Sequence, residues 1–223
     1  MDYLLSVFTF SDNILVQALL AFPLLVSMII TYRYIRIPDV TIDGSSIFAA
    51  AVCVVLMREF NASWPIGLLG AIIAGFAAGL VTGVLVEIFK INGLLAGILN
   101  AFLMYSIGLL LIGAALDFEN GTTVFSVLKE NDRVISQNFE ANLILHPFVL
   151  AFLISVVIFL KLSLDWLLRR EWFVVLKGTS TNHFFLQLRG VNTKRIRIVA
   201  FGIANALVGF GAALISMYDG SVQ

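Results

Sequence analysis

With 223 residues, of which 60% are hydrophobic and 13% charged, and a mean hydropathy of +1.00, the chain has too little polar surface to cover itself in water; a soluble domain is excluded and a polytopic membrane protein remains. Its 14 cations and 14 anions cancel, so there is no global attraction for nucleic acid, and where each sign sits along the chain carries the information. The single cysteine, Cys53 in an apolar run, excludes an internal disulfide and reads as a small buried hydrophobe.

The opening stretch MDYLLSVFTFSDN has no basic n-region and no small-residue cleavage site, so no removable signal peptide is expected. The first apolar run long enough to span a membrane covers residues 14–32. In RIPDVTIDGSS, which follows, Pro38 disfavours helix just before it, and Asp43, Ser45 or Ser46 is expected to cap a new helix. The next apolar segment, 44–57, is too short to span and reads as a broken or half-span helix.

Residues 64–89 and 94–115 form the next two expected spans. The first carries small residues at every fourth position, Gly67, Ala71, Gly75, Gly79 and Gly83, which places them on one helix face that another backbone can approach closely. Gly93, Gly97 and Ala101 open the second in the same way. Residues 116–146 form the longest polar stretch, with five acids and two cations. Their hydrophobic positions point to short interfacial helices, serving as a docking surface for an external partner or as a lid on the membrane face. Residues 147–168 and 196–217 complete the spans, the latter with Asn205, Gly209 and Ala213 at helical spacing. Lys161 and Asp165 fall in the inner third of the former, where a lysine can snorkel to the interface. The expected fold is therefore an all-α, polytopic membrane helix bundle of one domain, with about six membrane segments, one of them short or broken.

Charge orients the bundle. If the segment 44–57 crosses, ten cations (Arg33, Arg36, Lys90, Arg169, Arg170, Lys177, Arg189, Lys194, Arg195 and Arg197) share the cytoplasmic side, against Arg58, Lys129 and Arg133 outside. If that segment is instead re-entrant from outside, the first span flips and the N-terminus becomes cytoplasmic.

Polar groups in hydrocarbon are costly and mark either a solute path or a bond between helices; here they are Thr82, Asn100, Tyr105, Ser106 and Asn205. No carboxylate stands at mid-span, so an ion-coupled relay has no obvious carrier. Enzyme chemistry finds no support either. His146 and His183 fall at opposite ends of the bundle, HExxH, CxxC and nucleophile-elbow motifs are missing, and no GxxxxGK[ST] loop exists to hold ATP. No metal site and no cofactor is expected in this chain.

Three blocks, RIPDVTIDGSSIFAAAV, INGLLAGILNAFLMYSIGLLLIG and LKGTSTNHFFLQLRGVNTKRIRIVAFGIANALVGFGAAL, resemble in order and spacing the permease subunits of branched-chain amino acid and ribose-type ABC importers, closest to the subgroup for amino-acid or tryptophan-like uptake. The resemblance spans nearly all of residues 14–220 and implies a subunit of the bacterial cytoplasmic (inner) membrane. A second permease chain, as a homodimer, would complete the path, a cytoplasmic ATPase subunit would bind the ATP, and an extracytoplasmic substrate-binding protein would deliver the solute. It implies that the first block is a broken helix near the path, making Asp43, Ser45, Asn100, Tyr105 and Asn205 the path candidates. Within an expected cytoplasmic coupling loop, 169–195, it implies a coupling helix seated in an ATPase groove. Capped by Thr181 or Asn182 and ended by Gly190, that helix presents Phe184, Phe185, Leu188 and Arg189. Membrane lipid is the competing partner for it. The resemblance also implies further membrane helices beyond Gln223. An ion-coupled carrier or channel, and a truncated subunit that does not transport, are the alternative functions.

Overall fold

The computed structural model describes the backbone of residues 2–60, 62–115, 147–181 and 190–219. Among them every regular element is helical, and seven α-helices are present: α1 (Asp2–Ile30), α2 (Thr41–Glu59), α3 (Trp64–Glu87), α4 (Gly93–Ala115), α5 (Pro147–Leu168), α6 (Glu171–Thr181) and α7 (Thr193–Asp219). Among the described residues four segments are long and apolar enough to cross a membrane: Val16–Ile35, Trp64–Glu87, Gly93–Gly113 and Thr193–Met217. The polar stretch 116–146 and the coupling candidates Phe184, Phe185, Leu188 and Arg189 lie outside the described residues.

The centre of the bundle is the antiparallel seam of α3 and α7. A Cβ at Gly79 would overlap the Phe201 carbonyl and come within 2.8 Å of the Asn205 Cβ; one at Gly83 would stand 2.8 Å from the Ile198 Cα. Gly75 meets the Asn205 carbonyl, and Gly209 on α7 returns the contact on Ala71. Hydrocarbon gives helices no solvophobic reason to associate, so close backbone approach and its dispersion contacts hold such a seam. Gly67, at the start of α3, packs instead against Met57 and Cys53 of α2.

Around the seam, α2 runs antiparallel to α3 (Leu56 lies on Gly70) and parallel to α4 (Gly44 lies on Ala101, Phe48 on Gly108). The chain therefore turns back where α1 stops, and α2 runs from inside the bundle to the end where α3 starts. One end of the bundle then gathers the described cations Arg33, Arg36, Lys90, Arg169, Arg170, Lys177, Lys194, Arg195 and Arg197. It is called the basic end below.

The segment expected as coupling loop gains detail, and one local expectation is corrected. Part of the expected coupling loop, Glu171–Thr181, is helix α6, because Phe173 and Leu176 give it an apolar face that buries against Val26, Ile30, Ala200 and Phe201. Phe173 also meets the Tyr34 ring edge-on at 5.0 Å. Thr181 is the last described residue of α6, and the expected coupling helix after it lies outside the described residues. The correction concerns the start of α2. It begins at Thr41, with Asp43 in its first turn and Ser45 and Ser46 inside it, so none of these three caps it.

Candidate functional site

The site is built where the chain re-enters the bundle. Past Ile30 the helix widens into a π-helical turn, Thr31–Ile35, and Arg36 then takes a left-handed conformation with φ 59°. Few residues other than glycine do so, and here it reverses the chain direction. Pro38 disfavours helix at Ile37, where the chain bends, and Asp39 closes an Asx turn, its Oδ1 accepting the Thr41 backbone N–H at 3.0 Å. Asp39 therefore serves as the cap that the sequence assigned to residues further on. A carboxylate two residues ahead of the first helical residue satisfies one of the orphan N–H groups and opposes the helix dipole.

Asn205 of α7, fully buried, gathers this helix start. Its Nδ2 donates to Asp39 Oδ2 at 2.9 Å and to the Phe201 carbonyl at 3.3 Å. Its Oδ1 accepts the Ser45 hydroxyl at 2.7 Å and lies 3.3 Å from the Thr41 hydroxyl, which also donates to Asp39 Oδ1. Asn205 stands twelve positions into α7, about 18 Å at 1.5 Å per residue, so α2 starts within the bundle and not at its end. Asp39 thus takes three donated hydrogen bonds, from the Thr41 N–H, the Thr41 hydroxyl and Asn205. A carboxylate has about four acceptor positions. With its side chain half-buried, roughly one of these remains to meet a solute.

Of the five path candidates, the structure joins Ser45 and Asn205 and separates the rest. Asn100, also buried, belongs to a second cluster: its Nδ2 donates to the Ala78 carbonyl at 3.0 Å and to Thr82 Oγ1 at 2.7 Å, tying α4 to α3. Asp43 is exposed on the first turn of α2, its carbonyl accepting the Ser46 hydroxyl at 2.7 Å. Tyr105 is exposed on α4. Gly190 has φ +75° and open space around it.

Three residues of consequence were not singled out in advance. Asp39 is one, and the turn signal before α2 held it. The others are Glu87 and Arg197. Glu87, the last residue of α3, is 2% exposed, and its Oε1 lies 3.0 Å from Arg197 Nε, with Lys90 Nζ 3.9 Å from Oε2. This pair fastens the basic end of the α3–α7 seam. Among the described residues there is no group of acids, histidines or cysteines suited to a metal ion.

A bundle of apolar helices with one helix starting inside it on a polar knot defines a multi-pass membrane protein of the permease class. The family model for the permease component of branched-chain amino acid transport systems matches residues 10–223, and the chain belongs to that family. It is 30% identical over 208 residues to a tyrosine transport system permease protein of Clostridioides difficile (strain R20291), covering 93% of this chain and 64% of that protein. It is also 39% identical over 97 residues to an uncharacterized protein of Rickettsia prowazekii (strain Madrid E), covering 42% of this chain and 32% of the relative. The chain thus spans less than two thirds of the length of either relative. No solved structure matches it.

Proposed function

We propose that the chain is a permease subunit of an ATP-driven importer in the bacterial cytoplasmic membrane and lines the path of a small polar solute, an amino acid. The observation that carries this reading is the start of α2 inside the bundle. A helix N-terminus offers partial positive charge from unpaired N–H groups, and Asp39 beside it offers a carboxylate with an acceptor position to spare. Together they complement a zwitterion, whose carboxylate and ammonium need opposite partners a few ångströms apart. Transporter sites of this kind use helices broken near mid-membrane. The basic end faces the cytoplasm, and Phe184, Phe185, Leu188, Arg189 and Gly190 are the contacts to an ATPase subunit that binds the ATP. A substrate-binding protein docks on the opposite side, and a second copy completes the path. The matched relative's name makes tyrosine the first solute to try.

The test is co-expression with the ATPase and binding-protein genes that neighbour this one, capture of the tagged chain from mild detergent, and uptake of labelled tyrosine and branched-chain amino acids into vesicles. The ATPase is expected to co-purify, and uptake to require ATP. Asp39→Asn is expected to cut uptake at least tenfold while leaving the ATPase bound. Uptake driven by an ion gradient without ATPase would establish the carrier reading instead; capture of the ATPase with no uptake of any amino acid would remove the solute assignment.

A further inference from the structure

Between α5 and α7 the bundle opens laterally into a groove of about 740 Å³, lined by Ser155, Phe159 and Leu167 on one wall and Ile203, Ala206 and Phe210 on the other. From Ser155 to Leu167 it follows α5 for twelve residues, about 18 Å, which matches one leaflet of a hydrocarbon core about 30 Å thick. Its lining is apolar apart from two serines. A polar solute has nothing to gain there.

The end of the groove supplies the second observation. Arg170 lies two residues past the end of α5 and three past the groove-lining Leu167, whose carbonyl accepts the Arg170 N–H at 3.1 Å. Arg195 and the groove-lining Ala206 are three helical turns apart on one face of α7. Each wall therefore ends in an exposed arginine at the basic end of the bundle. Arg170 stands over the Trp166 ring at 4.0 Å, a cation–π contact at the level where tryptophan settles in the membrane interface. Arg169 and Lys194 add charge beside them. Asp165 and Glu171 are the nearby acids, and Asp165 falls on a different face of α5 from the groove.

We propose that this groove is a binding site for an anionic glycerophospholipid of the leaflet at the basic end, with one acyl chain lying along α5 and α7 and the headgroup phosphate between Arg170 and Arg195. A membrane helix of another protein would fill the apolar part equally well, but would leave two arginines without an anion. The phospholipid satisfies both parts of the site.

Native mass spectrometry of the purified full chain decides the matter, with phosphatidylglycerol and phosphatidylcholine of identical acyl chains offered at equal amounts. A cation near an anionic headgroup contributes about a fivefold factor, so phosphatidylglycerol should be retained at least about 25-fold over phosphatidylcholine. Arg170→Gln or Arg195→Gln should each lower that ratio about fivefold, and both together about 25-fold, to the residual preference that Arg169 and Lys194 give. Ala206→Trp, which fills the groove and leaves the arginines in place, should reduce retention of both lipids. Retention of both lipids at parity by the wild-type chain overturns the proposal. So does a preference unchanged in the double arginine variant, which keeps its fold because both side chains are exposed, and so does full retention by a folded Ala206→Trp chain.

Discussion

The two helix junctions made by α7 differ in kind. Against α3 it is joined by glycine on backbone, with Gly75, Gly79 and Gly83 letting carbonyl and Cα atoms meet. Against the start of α2 it is joined by hydrogen bonds, with Asn205 linking Asp39, Thr41 and Ser45. The first junction depends on shape and tolerates no added atom. The second depends on polarity, and its members keep spare bonding capacity. Packing of the first kind suits a fixed axis; a junction of the second kind suits the solute path proposed above.

The sharpest way to break this comparison is at the glycine seam. Gly79→Leu should abolish folded protein, measured as monodisperse material after detergent extraction, because the Phe201 backbone cannot retreat. Val81→Leu, on the exposed side of α3, should extract like wild type. Equal recovery of both would mean that the seam is compliant. Next in size is Glu87→Ala, which leaves the partly buried Arg197 without its anion and should cost about 3 kcal/mol in reversible unfolding from mixed micelles; replacing Arg197 by leucine as well should recover part of that loss. Asn205→Leu removes two hydrogen bonds, to Asp39 and to Ser45, each worth about 0.6 kcal/mol in a membrane interior, for a loss of about 1.2 kcal/mol. Asn100→Leu should be mildest, about 0.5 kcal/mol or less. It gives up two bonds to α3, but also removes a buried Oδ1 that has no partner. If the two asparagine variants lose equal stability, the polar knot on α2 has no special standing.

The apolar runs were legible because span length and composition are local. Residues 64–89, 94–115 and 147–168 were read to within two residues of α3, α4 and α5, and Pro38 located the break before α2. What lay hidden was long-range. Asn205 bonds partners 160 to 166 positions away, so nothing beside it distinguishes it from Asn100, whose amide ties adjacent helices. Glu87 and Arg197 looked like ordinary interface charges, since the pair exists only once α3 and α7 lie antiparallel. The α2 cap was assigned to the wrong residue because Asp39 acts through a turn that depends on the Val40 backbone. Helix α6 is too short and too polar to stand out by span length, and its only sequence signal is the spacing of Phe173 and Leu176 three apart.

The glycine seam also has a mechanical consequence. Sliding α3 along α7 by one residue would drive Cβ atoms into carbonyl oxygens, so the two helices form a strut whose length and pitch are set. With the Glu87–Arg197 pair pinning its basic end, a push delivered at the start of α7 travels along the strut as a rigid rotation and is not absorbed by shear. Any relative motion among the described helices then falls to the elements that lean on the strut, α1, α5 and the start of α2, as leaves turn about a hinge pin.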